Sequence, residues 1–356
     1  MQYLGIDWGT RRAAWCAIGP DGELTEGAIT ADEDGLVRLV TRLGPEVRGC
    51  IEMMSGAPWV RDSLAVCGWR IQIADARKVK AIAPLACKTD RVDARVLADL
   101  ARRDLVPELW VAPLDDRAIR ERLRRRSHLV RLRTSSMNRT FGLLTQWGLR
   151  RSVTALRQPG AVDELAEHGV PQVWRDSLST LLSVIDDLDR QLEPIERELR
   201  PLARADDRAR LLMTIPGVAE LLGLTIASEI GDVARFPSAS KLVGYSGLNP
   251  KIKQSGQSAR IGRMSKAGPD TLRWAAVEAS QQAWRPTNPW HELYADIKRR
   301  HGKANPAKAA VARKILIASW HILSRNEPFK PSAPRATDPA PASSSIRLAH
   351  RGPQTI

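Results

Sequence analysis

The chain is short of clustered cysteine, of long apolar runs, of small aromatics and of acid, and each shortage removes a class of function. Its four cysteines, Cys16, Cys50, Cys67 and Cys87, stand far apart with no CxxC pair and no neighbouring histidine. Neither a zinc site nor a disulfide framework fits such spacing, so all four are expected as small core residues in a reducing cytosol. No apolar run reaches the roughly 20 residues that a membrane span needs. The N-terminus lacks a signal peptide as well, which makes a membrane the poorer choice of partner. Phe and Tyr number three each against eleven Trp, which assigns most tryptophans to core packing and leaves base stacking open to the rest. Asp and Glu total 40 against 55 Lys and Arg, a net charge of +15. An excess of that sign favours a polyanion, nucleic acid ahead of a membrane surface.

What is present reads as a folded body. With 356 residues and 43% hydrophobic content, two or three domains are expected. Residues 3–18 read as a strand, a tight turn at Gly9-Thr10 and a second strand, and Asp21-Gly22 turns the chain into a third strand over 23–30. Residues 32–43 carry Leu36, Leu39, Val40 and Leu43 at helical spacing. Residues 47–54 return as a strand, 58–67 form a short helix closed by Gly68, and 69–74 give another strand. Strands alternating with helices imply a mixed sheet with helices packed on it.

Two acids sit inside these apolar strands: Asp7 at the end of the first, Glu52 on a later one. The stretch 88–99, KTDRVDARVLAD, opens a helix with Asp90 and Asp93 three residues apart, hence on one face. Two like charges that close repel unless a cation or a proton lies between them. Arg91, Arg95 and Lys88 flank the pair, so a solvated, neutralised face is the competing reading. Acids in this order resemble those of the α/β RNase H/RuvC-like nuclease fold, in which a first-strand Asp, a Glu on a following strand and a late pair converge on divalent ions. That resemblance implies Asp7, Glu52, Asp90 and Asp93 as ligands of Mg²⁺ or Mn²⁺. Hard oxygen ligands suit such ions, and two of them about 4 Å apart can polarise a phosphodiester while stabilising attacking and leaving oxygens.

Beyond residue 115 the composition changes. Arg117, Arg120, Arg124, Arg125, Arg131 and Arg133 belong to a row with little acid nearby, which predicts a long helix whose basic face meets phosphates. Residues 173–203 repeat Leu178, Leu182, Ile185, Leu192 and Ile195 near a heptad rhythm, and the two segments are expected to pair as an antiparallel coiled coil or to bind another protomer. Further on, TIPGV sets Pro216-Gly217 as a turn between two short helices. Such a helix-hairpin-helix offers backbone N–H groups around Gly217 to a DNA phosphate. Residues 250–269 are basic, glycine-punctuated and poor in apolar side chains, as in a loop or hairpin. Helices are expected over 271–283 and 308–323, and the Pro/Ala/Ser-rich 331–356 as a disordered tail.

KTDRVDARVLA followed by IPGV and by GLNP…SG…RIGRMSKAG…LR resembles the DEDD transposases of bacterial insertion elements, the insertion-sequence-110 family. That family is related to the Piv DNA invertase and includes recombinases directed by a structured non-coding bridge RNA. The likeness spans residues 3–325. It implies a RuvC-like DEDD domain over 1–114, a basic helical coiled-coil region over 115–207, a mostly α transposase domain with helix-hairpin-helix and serine motif over 208–328, and a tail over 329–356. It further implies a serine nucleophile, Ser255 in QSG, with Ser258 and Ser265 as alternatives; Ser246 in GYSGL is a fourth candidate, whose apolar neighbours favour packing in the fold. Arg260, Arg263 and Lys266 would offset charge on the reacting phosphate. Implied partners are double-stranded DNA at element ends and target, a guide RNA, and further copies of the chain as a dimer or tetramer, all in a bacterial cytoplasm at the nucleoid and with no membrane. A RuvC-like junction endonuclease using water, or a scaffold without catalysis, are the rivals. No major-groove reading helix is recognisable, so the target sequence is not legible.

Overall fold

The computed structural model describes residues 1–83, 89–255 and 258–331, with backbone only at 252–255 and 258–261. Cys87, Lys88 and the expected disordered tail beyond 331 lie outside the described residues. The chain forms two compact units, Met1–Pro113 and Leu114–Ile356.

The first unit is built on strands β1 (Gln2–Trp8), β2 (Arg12–Ile18), β3 (Leu24–Thr30), β4 (Val47–Glu52) and β5 (Arg70–Ala74), with helices α1 (Glu33–Leu43), α2 (Ala57–Val66), α3 (Ala76–Ile82) and α4 (Asp90–Arg102). The sheet runs β3-β2-β1-β4-β5. β1 pairs antiparallel with β2 and parallel with β4, so the meander and the crossovers expected from the sequence meet at β1. Side chains alternate along each strand, which divides the sheet into two faces. Leu4 and Ile6 of β1, Trp15 of β2 and Ile51 of β4 pack with Leu36, Leu39, Val60 and Leu64 of α1 and α2. Each fully buried side chain of this kind stabilises the fold by about 1.5–3 kcal/mol. On the opposite face Cys16 packs with Ala94 and Ala98 of α4, and Cys50 with Leu97. α1 begins where Asp32 accepts from the Gly35 N–H at 2.8 Å, a side-chain cap of the usual kind.

Cys16 and Cys50 are buried as expected. Burial pushes the Cys50 thiol up to about 12, and it donates to the Leu97 carbonyl. Cys67 departs from the expectation: it is exposed at the end of α2, where Gly68 with φ of 82° turns the chain out of the helix.

The second unit is helical apart from one hairpin. It comprises α5 (Leu114–Thr145), α6 (Val153–Leu156), α7 (Gln172–Ala205), α8 (Asp207–Leu212), α9 (Glu220–Ile230), α10 (Ala239–Ser246), strands β6 (Pro250–Ser255) and β7 (Ser258–Met264), then α11 (Asp270–Ala279), α12 (His291–His301) and α13 (Ala304–Arg325). α5 and α7 pack side by side and antiparallel: Arg122 meets Glu198, Arg126 meets Glu196 and Arg133 meets Asp189. α7 buries Leu178, Leu182, Ile185, Leu188, Leu192 and Ile195, on the stripe that its sequence rhythm predicted, and the stripe extends to Leu199. α9 is apolar on nearly every side, and residues 223–230 are all buried, as a helix without a polar face must be. α10 and α12 were not legible as helices in the sequence. Among the described residues no helix is long and apolar enough to cross a membrane.

Candidate active site

Asp7 and Glu52 are neighbours by register. β1 and β4 run parallel with Ile6 beside Ile51, and one step further lies Asp7 on β1 and Glu52 on β4. Alternation assigns both to the α4 face, because Gly5 and Cys50, two residues earlier on each strand, face α4. A Cβ built on Gly5 would stand 2.0 Å from the Ala94 carbonyl oxygen, and the Cys50 thiol bonds to the Leu97 carbonyl at 3.3 Å. α4 therefore lies on the backbone of β1, with its N-terminal turn toward the ends of the strands. Thr89, Asp90 and Arg91 line one cleft with Ala14, and Ala14 is the β2 partner of Asp7.

α4 starts where it does because Thr89 accepts from the Val92 N–H at 3.3 Å. Asp90 and Asp93 fill the first turn, where carboxylates favour the helix dipole. The arginines flanking them in sequence do not neutralise them. Arg91 and Arg95 both turn to Glu26 on β3, at 2.8 and 2.7 Å. The hydrogen bond from Arg95 leads in holding the Glu26 carboxyl below its usual range. Asp99, at the far end of α4, is paired with Arg102 and Arg103. Among the described residues no such ion pair reaches Glu52, Asp90 or Asp93, in a chain with a large surplus of cationic side chains. The carboxylate oxygens of Glu52, Asp90 and Asp93, without a basic partner among the described residues, suit a hard divalent cation. As placed, the side chains are not gathered into a cage: among the described residues no three His, Cys, Asp or Glu stand close enough to hold an ion.

The second unit carries the hairpin. Ser255 ends β6 opposite Ser258, which begins β7, and the side chains of Ser255, Ser258 and Arg260 lie outside the described residues. Ser265 is engaged, its hydroxyl donating to the Gly247 carbonyl at 3.3 Å. Ser246 is fully buried and bonded to Val243. The base of the hairpin is fixed to the end of α10: Ser265 N–H donates to Asn249, and Lys266 N–H donates to Gly247. Gly247 is left-handed with φ of 72°, and a Cβ there would meet the Ala267 carbonyl at 2.2 Å. Arg263 and Lys266 are exposed beside this base.

Gly217 sits in the turn between α8 and α9 with φ of 91°, pressed against the Ala279 carbonyl of α11. No side chain caps the start of α9. Pro216, Gly217, Gln282 and Arg285 line a groove of about 450 Å³ in front of it.

The arginine row of α5 corrects the sequence reading of unpaired charge. Acids absent from α5 itself are supplied by α7 and α9. Arg133 pairs with Asp189. Arg120 is nearly buried and donates to the Ser228 and Glu229 carbonyls at the end of α9, so neither side chain stands ready for phosphate. Arg117 is also engaged. Arg124 reaches Glu229 only at 3.9 Å, while Arg125 and Arg131 are exposed, with no carboxylate partner among the described residues.

Sequence reasoning missed Gly5 and Glu26. A glycine inside an apolar strand marks a close backbone approach, so Gly5 carried a usable signal. Glu26 carried none, since its partners are 65 or more positions away.

Two family models match the chain. One described as "Transposase" covers residues 4–148, and one described as "Transposase IS116/IS110/IS902 family" covers 209–295. The chain is similar to a transposase for insertion sequence element IS1111A of Coxiella burnetii, 27% identical over 342 residues, 93% of this chain and 92% of the relative. It is similar to a probable family 20 transposase of Pseudomonas aeruginosa, 26% identical over 68% of this chain and 74% of the relative. A pilin gene-inverting protein of Moraxella bovis is 26% identical over 68% of each.

Proposed function

Because the chain belongs to the IS116/IS110/IS902 family of transposases, we propose that it cuts and rejoins DNA strands through a serine of its second unit, assisted by the acids of its first. The observation that carries this reading is the register of β1 and β4 beneath α4, which assigns Asp7 and Glu52 to the face and strand ends where Asp90 and Asp93 open the helix. The acids belong to an RNase H/RuvC-like arrangement, and Asp7, Glu52, Asp90 and Asp93 are the residues to hold Mg²⁺ or Mn²⁺. Such an ion supplies positive charge against a phosphodiester whose oxygens gain negative charge during displacement.

Ser255 Oγ attacks the DNA phosphorus. The new Oγ–P bond forms as the P–O bond to the leaving strand breaks; the serine proton is lost to water and the leaving oxygen takes one up from water, so that strand departs as a hydroxyl. The phosphoserine keeps the energy of the phosphoester, so a hydroxyl from a second strand reverses the step and reseals without ATP. A serine hydroxyl is a weak nucleophile unless activated. Arg260, Arg263 and Lys266 on the same hairpin offset the charge that builds on the phosphorus oxygens. The turn at Gly217, with the uncapped N-terminus of α9, anchors a neighbouring phosphate without reading sequence. On α5 the contacts fall to Arg124, Arg125 and Arg131. Target choice by a guide RNA, and assembly as a dimer or tetramer on two DNA molecules, complete the reading.

The test uses supercoiled DNA bearing the element's own ends and flanking segment, with Mg²⁺ or Mn²⁺, and traps covalent protein–DNA adducts under denaturing conditions. Wild type yields the adduct, and Ser255→Ala and Asp90→Ala do not. An adduct persisting in Ser255→Ala removes that serine; strand cleavage with no adduct in any variant means a junction endonuclease using water. Independently of activity, Mg²⁺ or Mn²⁺ raises the melting temperature of wild type by mass action, and Glu52→Gln loses that rise.

A further inference from the structure

Ten of the eleven tryptophans have an evident partner. Trp8 packs on Trp59, Trp147 on Trp174, Trp290 on Phe329 and Trp320 on His321. Trp15 and Trp284 carry arginines over their rings, the Trp69 indole N–H donates to Gly44, and Trp110 is engaged. Trp274 on α11 is the exception: among the described residues no ring, cation or hydrogen-bond acceptor meets it, and it is 44% exposed. It stands in a groove of about 800 Å³ formed by α5, α9 and α11, whose lining includes Arg124, Arg125 and Arg131. None of these three has a close carboxylate among the described residues, Arg124 reaching Glu229 only at 3.9 Å.

We propose that this groove binds an unpaired segment of DNA, with one base stacked on the Trp274 ring and the flanking phosphates on Arg125 and Arg131. The inference rests on the DNA strand-transfer reading, which itself creates unpaired strand ends. A groove of this volume suits a small organic group. An aromatic face in a basic groove is the usual means of holding single strands, because every base has a π-face and stacking does not depend on sequence. In a duplex those faces are covered by neighbouring bases, so the ring selects unpaired strands. Glu121 and Asp270 also line the groove. Asp270 lies one helical turn from Trp274, which keeps phosphate away from the ring and leaves that end to an uncharged base.

The experiment measures full-length protein in EDTA against a labelled short oligothymidine, the same length of duplex, and oligouridine. Trp274→Ala weakens oligothymidine binding by about 5- to 150-fold, the range for one lost stack, leaves the duplex unchanged, and keeps the wild-type melting temperature. Trp274→Phe restores most of the affinity. A 2-aminopurine scanned along the strand is quenched at one position by wild type and not by Trp274→Ala. Equal affinity of Trp274→Ala and wild type for oligothymidine overturns the proposal, as does an equal loss on duplex. A larger loss on oligouridine overturns the choice of DNA. Adduct formation by the same preparations separates the two claims: wild type that forms the adduct while Trp274→Ala binds normally sinks this inference alone.

Discussion

Gly5→Ala changes no acid and no exposed surface, yet it should disturb the acidic site more than most substitutions around it. A Cβ at residue 5 would stand 2.0 Å from the Ala94 carbonyl oxygen, 2.4 Å from the Ala98 nitrogen and 2.9 Å from the Leu97 Cβ. Carbon contacts sit at about 3.5–4.0 Å, so α4 must retreat from β1 by about 1 Å or more. Two of the three obstructing atoms are helix backbone, which cannot rotate aside as a side chain would. Overpacking of one methyl into a tight core costs about 1–3 kcal/mol, and this site belongs at the upper end. In a unit of this size about 3 kcal/mol lowers the melting temperature by roughly 10–20 °C. Calorimetry of the full chain reads that loss, and hydrogen exchange over residues 90–102 reads the retreat of α4. Gly22→Ala is the control, since nothing lies within 4 Å of its Cβ and only the φ of 82° opposes it, a cost near 1 kcal/mol. Strand transfer should fall in Gly5→Ala with every carboxylate intact. Equal melting of the two variants, or unchanged exchange in α4, would refute the close approach of helix and strand.

Two further outcomes follow from the ion pairs. Glu26 is held below its ordinary value of 4.5 by the hydrogen bond from Arg95, with Arg91 adding to it. A depressed carboxyl contributes stability above its unfolded pKa and loses it as pH falls through the lower folded value. The melting difference between wild type and Glu26→Gln should therefore be full at neutral pH and shrink progressively below about pH 4.5, vanishing in stronger acid; a difference independent of pH would show that the pair is not coupled to folding. Arg208 bridges Asp116 and Asp206 at 2.8 and 2.7 Å, and Asp116 is 7% exposed. Arg208→Ala leaves a nearly buried carboxylate uncompensated and should cost about 3–5 kcal/mol in urea unfolding. Arg210→Ala, which breaks an exposed pair with Asp207, should cost under about 0.5 kcal/mol; similar losses in the two would contradict the assignment.

Sequence periodicity exposed the elements because alternation and helical spacing are local. β1, β2, β4, β5, α1, α2 and the pair α5 and α7 each carry enough apolar residues at their own period to be read without a fold, while β3 was announced by the Asp21-Gly22 turn before it. α10 and α12 escaped because eight and eleven residues with mixed polarity give too few turns for a period to show. The acids were legible as a set because two of them interrupt apolar strands. What the sequence withheld was partnership. Arg91 and Arg95 stand beside Asp90 and Asp93 in the chain and read as their neutralising neighbours, yet the turn of α4 aims both at Glu26 on β3.

The same point governs the charge of the whole protein. A net +15 suggests many phosphate contacts, and the arginines of α5 looked like their main supplier. Antiparallel packing on α7 sets Glu196, Glu198 and Asp189 opposite that row, and the end of α9 takes Arg120. Arginines held this way fix helix register and cannot also release counterions from DNA. Cationic side chains act on a polyanion only where the fold leaves them unanswered, and on α5 the lining of the groove beside Trp274 is such a place. Composition therefore identifies the kind of partner, while the pairing of each arginine decides which surface meets it.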